Sequence, residues 1–400
     1  MAKSKIGTIE AIALILSMLA PFTVISLSRT FINETKSSAL LNIIYVTSIC
    51  LFIGFLIYTL FKKFPGLDIL DISKYLGGNI FKNIIGFIFI AYFTITSSLL
   101  LRNFCEGLKV VYYPYTNILY IILMFVIAIG ISNSLGFNST IKTNALIFPV
   151  ILVSILLLFI GNLNNFSFQK IFPILGDGFK STFILGLFNV GSFAGISYMY
   201  FLPPLLKEPE KFKKICILSI ILSGLFIFIC VATLLFMFSV YISTDEIMPL
   251  FSVSRYIEFG NFFQRFESLF LLIWTISFCC YLSISFKFST YIFTKMFNLA
   301  DSSQLIYIFC VLTYGIALLP KNYAMSSFFE IYIYRFLSIA IIVLGLSILI
   351  LSNLKNYKEP TYPCTILYEK HFLKQSHNLH KQVVVLLNNK HVFHLVYSVH

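Results

Sequence analysis

Ala39-Leu-Leu-Asn-Ile-Ile-Tyr-Val-Thr-Ser-Ile-Cys-Leu-Phe-Ile-Gly-Phe-Leu-Ile-Tyr-Thr-Leu-Phe61 carries no charged side chain from end to end. As a helix, an apolar run of about 20 residues crosses a bilayer core of about 30 Å, so this stretch reads as a membrane span. Similar stretches flank it on both sides. Before it comes Ala11–Leu27; after it come Ile84–Leu101, Ile118–Ile131, Ala145–Ile160 and Phe183–Leu206. The series closes with Ile215–Tyr241, Leu269–Phe286, Leu305–Leu319 and Ile331–Leu351. The chain is thus expected to be an all-α polytopic membrane protein with about ten transmembrane helices, numbered here in chain order. The fourth, fifth and ninth stretches are short and are expected to borrow flanking residues.

Composition agrees: 58% of residues are hydrophobic, 17% aromatic and only 11% charged. Soluble domains are normally about one-quarter charged. Ten spans in 400 residues leave no room for a soluble domain of ordinary size. Residues 1–354 read as one permease-like transmembrane domain with halves at about 6–162 and 180–354. Residues 355–400 read as a disordered cytoplasmic tail holding all six histidines, with no function assigned.

The net charge of +13 does not point to nucleic acid, because the basic residues cluster at span ends and recur in alternate loops. Fourteen lysines and arginines fall on one side and nine on the other, with a compact group at Lys207–Lys214 on the richer side. The positive-inside rule makes the richer side, with both termini, cytoplasmic. The eight cysteines lie mostly inside apolar runs without metal-ligand spacing, as small buried hydrophobes do. No metal, cofactor or enzymatic motif is expected.

Two helix interruptions carry the functional reading. In the first span, Ser17-Met-Leu-Ala20-Pro21 places proline mid-helix, removing one hydrogen bond and crowding the carbonyl four residues back. In the sixth, Asn189-Val-Gly191-Ser192-Phe-Ala-Gly195-Ile-Ser197 sets two glycines among small polar residues at mid-depth. These are the leading spans of two five-span halves. Matching interruptions of that kind point to a central site in inverted-repeat transporters. Freed amides there can hold a carboxylate and freed carbonyls a cation, so an amino acid suits both. Helix packing explains each break equally well, since Gly191 and Gly195 have the spacing that brings helices close.

Hydroxyls on the third span (Thr94, Thr96) and on the eighth (Ser277, Tyr281) form candidate polar stripes, although such groups commonly bond their own helix backbone. Arg102 and Glu106, one turn apart, form a candidate pair. Lys287 and Arg335 are read as side chains snorkelling from span ends. No acidic residue is expected at the middle of a span, which argues against proton coupling. The loop from Pro249 to Glu267 carries Arg255, Glu258, Arg265 and Glu267 with a phenylalanine strip, and reads as an amphipathic helical hairpin capping the cavity.

That loop, continued to Trp274, resembles the spore germination permease family, the B subunits of GerA-type germinant receptors. The resemblance rests on Pro249, Arg255, Ile257, Gly260 (slightly offset), Arg265, Glu267 and Trp274. Lesser echoes are Phe64-Pro65-Gly66, Arg102 with Glu106, Phe172-Pro173 with Gly176 and Gly178, and Leu319-Pro320 with Asn322. It covers roughly Lys5 to Leu354.

The resemblance implies a fold of the amino acid/polyamine/organocation type, with an inverted five-plus-five repeat and broken helices one and six. It also implies a transporter used as a sensor in the spore inner membrane, partnered by an A subunit and a lipoprotein C subunit, that binds an amino acid or similar germinant. Two positions depart from the family. A glutamate often follows the glycine ending the fourth span, whereas here Gly130 precedes Ile131, Ser132 and Asn133. The acidic residue common late in the sixth span is replaced by Gly195, Ile196 and Ser197. An amino acid permease and a receptor subunit with a decayed pocket stand as alternatives.

Overall fold

A computed structural model describes residues 5–134, 137–257, 266–299 and 304–355. Their secondary structure is helical, apart from one parallel bridge between Ile6 and Leu206. Among the described residues, six helical runs are long and apolar enough to cross a bilayer, and the 8–61 run holds two spans separated by a turn. The turn is a 3-10 segment, Lys36–Ser38, entered with Lys36 at φ 54°. The fourth and ninth spans are the shorter apolar helices Ile118–Ser134 and Leu305–Ala317. Large apolar side chains face outward, as lipid requires: Phe52 is 63% exposed, Leu146 77% and Val311 71%.

The first span is broken where proline demands it. Helix Thr8–Ser17 ends in tight turns at Met18 and Leu19, whose amides reach back three residues to Ile15 and Leu16. The chain resumes as Ala20–Phe22, continues through the π-helical Thr23–Leu27 and ends as Ser28–Thr35. Its end is therefore Thr35 rather than the expected Leu27. The sixth span is irregular throughout. It runs from a π turn, Lys180–Ile184, into the 3-10 stretch Leu185–Ser192, opens at Phe193, and recovers one α turn at Ile196–Met199.

The third span is far longer than hydropathy indicates. Ile69–Val111 starts at Asp68, whose carboxylate caps the amides of Leu70 and Asp71, and kinks at Gly77 and Gly78. Gly78 sits at φ 73°, where a side chain is strained. The fifth span does borrow residues, as Phe137–Gly161. The seventh is Phe212–Met237 and the eighth Phe266–Phe297. The tenth starts at Tyr323, well ahead of the expected Ile331, as Tyr323–Phe329, the π segment Glu330–Tyr334 and Arg335–Leu354.

Contacts between span termini sort into two ends, and the sorting gives alternating directions. At one end Ile6 pairs with Leu205, Asn353 bonds Leu60, and Lys82 bonds the carbonyls of Lys295 and Met296. At the other, Ser37 bonds Pro173, Ser181 bonds Glu34, Arg102 bonds Ala317 and Arg29 bonds Glu246. The first span thus runs from the Ile6 end to the Arg29 end and the second returns.

The loop expected as a helical hairpin is described only in part. Pro249–Ser254 is helical. Glu258, Gly260 and Arg265 lie outside the described residues, as does the histidine tail.

Candidate functional site

The breaks in spans one and six meet. A Cβ added to Gly195 would stand 2.6 Å from the carbonyl oxygen of Ile15, so the sixth span touches the first at its interruption. Gly191 instead faces span ten, where a Cβ would clash with the Arg335 carbonyl oxygen. Side chains fill the centre around this crossing. Phe22, just past the first break, stacks on Tyr334 with ring centres 4.0 Å apart and meets the edge of Tyr281 at 5.2 Å. Tyr198, just past the second break, stacks on Phe93 at 4.4 Å. The Tyr281 hydroxyl lies beside Thr96 and Ser97, and Tyr92 bonds Ser338 at 2.9 Å.

The proposed site residues divide according to what their polar atoms do. Ser17 and Thr96 bond carbonyls one turn back, of Ala13 and Tyr92, and Ser197 bonds Ala194 within its own turn. Ser192 and Ser277 are fully buried, and their hydroxyls have no partner. The carbonyl of Ser192, freed by the break, accepts from the Tyr334 hydroxyl at 3.4 Å. Ala20 is buried, and Pro21 lines an apolar crevice with Phe104, Trp274 and Phe278. Thr94 lies away from the crossing, in an apolar groove with Phe87, Phe293 and Leu312. Between spans three and eight, near the crossing, Ser97 and Ser285 make a cross-helix bond at 2.7 Å.

Asn189 belongs to a different network. Its amide donates to Asn42 at 2.9 Å, and its oxygen accepts from Arg335 at 3.1 Å. Arg335 is buried and grips the Glu34 carboxylate with both terminal nitrogens. It is an internal ion-pair partner of span one, not a snorkelling side chain. Lys287 is likewise internal and donates to the Asn133 carbonyl. Arg102 and Glu106 do pair, at 2.8 Å, and Arg102 also holds the end of span nine through Ala317. Arg255 is exposed and shares a surface basin with Glu246, while Glu267 sits in the first turn of span eight.

Glu330, which lies just ahead of the expected start of the tenth span at Ile331, is only 2% exposed and sits inside the helical run that forms that span. Its carboxylate accepts from Ser26 at 2.8 Å and from the Asn103 amide. A legible signal for it was Asn322, which caps the helix by accepting from the Met325 amide at 2.9 Å. Starting the span there places Glu330 two turns inside.

A family model described as "Spore germination protein" matches residues 5–326. The chain belongs to that family. It is 24% identical over 323 residues, 80% of this chain and 88% of the relative, to spore germination protein YndE of Bacillus subtilis. Spore germination protein B2 of the same organism is 28% identical over 191 residues, 47% of this chain and 52% of that one. Among solved structures, a substrate-bound outward-open Na+-coupled sialic acid symporter aligns with a TM-score of 0.59 at 12% identity, covering 87% of this chain and 79% of that one. At such identity the likeness is one of fold. This family member is a multi-pass membrane protein with a transporter fold.

Proposed function

We propose that the chain is the germinant-sensing membrane subunit of a spore germination receptor, binding an amino acid or similar small molecule where the first and sixth helices break. The observation that carries this is the contact of the two breaks at Ile15 and Gly195, beside the buried, unpartnered hydroxyl of Ser192. An orphaned buried hydroxyl costs about 1–3 kcal/mol, which a polar ligand there would relieve. Both ends of the bundle are latched, by Glu34 with Arg335 at one and by Asp68 with Lys295 at the other. A ligand that favours one latch over the other would shift the bundle between two packings, in proportion to its differential affinity.

The excess of basic residues makes the Lys295 end cytoplasmic, with both termini on that side. The halves at about 6–162 and 180–354 would be inverted repeats, and A and C subunits the partners in the spore inner membrane. Deleting the chain from its spore-forming host should abolish or weaken germination with some amino acids. An unchanged response across a broad panel would overturn the proposal. The paired latches also suit an amino acid permease; uptake of labelled amino acid by vesicles holding this chain alone would favour that second reading.

A further inference from the structure

Glu330 has no counter-charge in bonding reach. Among the described residues no lysine or arginine forms an ion pair with it. Arg29, on the facing helix, is spent on the Ser327 hydroxyl at 2.8 Å, the Tyr323 hydroxyl and the Glu246 carbonyl. The carboxylate has two neutral donors, Ser26 and Asn103, in a setting where an unpaired charge is costly. Arg29 acts on it only from beyond bonding reach, so the carboxylate either keeps a proton or draws a further positive charge to itself.

Two further observations favour the second. Asn103 is 1% exposed, and its side-chain oxygen, on the same amide that bonds Glu330, has no partner. Buried amide oxygens are rarely left so, and an oxygen beside a carboxylate is a ligand for a cation rather than for an anion. In addition, Ser26 lies in the π segment Thr23–Leu27 and Glu330 opens the π segment Glu330–Tyr334. Such bulges re-aim side chains and recur at functional sites. Here two of them face each other across one carboxylate.

We infer that Glu330, Asn103 and Ser26 form an intramembrane site for a single positive charge, either a free monovalent cation or the ammonium group of a ligand. One carboxylate among neutral oxygens balances one charge, whereas Mg2+ and Ca2+ sites ordinarily gather more acidic or water ligands. The ammonium alternative rests on the proposed amino acid binding; the free-cation alternative does not.

The test is thermal unfolding of the purified full chain in detergent, wild type against Glu330→Gln and Ser26→Ala. One arm exchanges N-methylglucamine chloride for NaCl or KCl at constant ionic strength. The other, in N-methylglucamine, adds each common amino acid, with propionate as a control that lacks the amine. Stabilisation by Na+ or K+ that Glu330→Gln abolishes supports the site as one for a free cation. Stabilisation by an amino acid but not propionate, abolished in Glu330→Gln, supports it as one for a ligand ammonium. Ser26→Ala should raise the half-maximal concentration about tenfold in whichever arm responds, and it serves alone if Glu330→Gln does not fold. Amino acid shifts of equal size in all three proteins, with no Na+ or K+ stabilisation that Glu330→Gln abolishes, would overturn this site and leave the proposed ligand binding standing. No response of the wild type to any probe would overturn the site, with Glu330 then a permanently protonated acid. Silence in the amino acid arm alone counts against the ligand reading and not against a free-cation site.

Discussion

Gly195 and Ile15 hold the two broken helices in contact, with space for a hydrogen and none for a methyl group: the missing Cβ would lie 2.6 Å from the Ile15 carbonyl oxygen. That oxygen is backbone and cannot rotate aside. Gly195→Ala should therefore lower unfolding stability by about 1–3 kcal/mol, the usual cost of overpacking, and Gly195→Leu by more. Cys279→Ala, at a half-buried cysteine on the eighth span, should cost less than either. Amino acid response should fall in the same order, and equal responses in Gly195→Leu and Cys279→Ala would contradict the site at the crossing. Thermal unfolding and germination assays read the two quantities separately.

The crossing was legible because proline and glycine act through the backbone, and backbone consequences travel with the sequence. Pro21 removes its own hydrogen bond wherever it sits in a helix, and the first span breaks just before it. Span lengths were less legible, since hydropathy ends a helix where polar residues begin. Ser28–Thr35 is polar yet helical and carries Glu34, because Arg335 and Asn189 wait for it on other spans. Glu330 was misplaced for the same reason. Which hydroxyls stay unpartnered, Ser192 and Ser277 rather than Ser17 and Thr96, depends on three-dimensional packing that no spacing rule contains.

Arg335 and Glu34 make the second prediction. Both terminal nitrogens of the guanidinium are committed to the carboxylate, and the arginine side chain is only 7% exposed. Removing one partner leaves a largely buried charge, which commonly costs about 3–5 kcal/mol, while removing both costs much less. Arg335→Gln should destabilise strongly, and Glu34→Gln combined with Arg335→Gln should recover part of the loss. A double-mutant cycle by chemical or thermal unfolding checks this, and strict additivity would mean that the pair contributes nothing as a pair.

Phe22 sits between two tyrosines just beyond the first break, stacked at 4.0 Å on Tyr334 and edge-on to Tyr281. Phe22→Ala should cost about 3–5 kcal/mol, as large-to-small changes at buried aromatic positions do. Tyr334→Phe should cost under about 1 kcal/mol, because its hydroxyl makes only a long 3.4 Å bond to Ser192. A larger loss from Tyr334→Phe than from Phe22→Ala would show that the hydroxyl bond, not ring packing, holds this region.

At the opposite end from Arg335, Lys295 joins Asp68 at 2.6 Å and Asp71 at 2.5 Å, and the Tyr291 hydroxyl completes the shell of Asp68 at 2.6 Å. The next residue, Ile69, donates its amide to the Tyr200 carbonyl at 3.1 Å, so the cluster is tied directly to the sixth span. The first span is fastened separately, through Ile6 to Leu205 at 2.7 Å and Lys207 to Ile6 at 2.9 Å. Lys295→Met strips the cation from a fully buried Asp68 and should loosen this end. Each 1.4 kcal/mol lost raises the open fraction about tenfold. Leu206 is buried beside Ile6, so in a cysteine-free background Leu206→Cys reports opening through its rate of labelling by a water-soluble maleimide. Labelling should be about tenfold faster or more with Lys295→Met than without it. Equal rates would mean that the Ile6 pairing alone keeps this end shut.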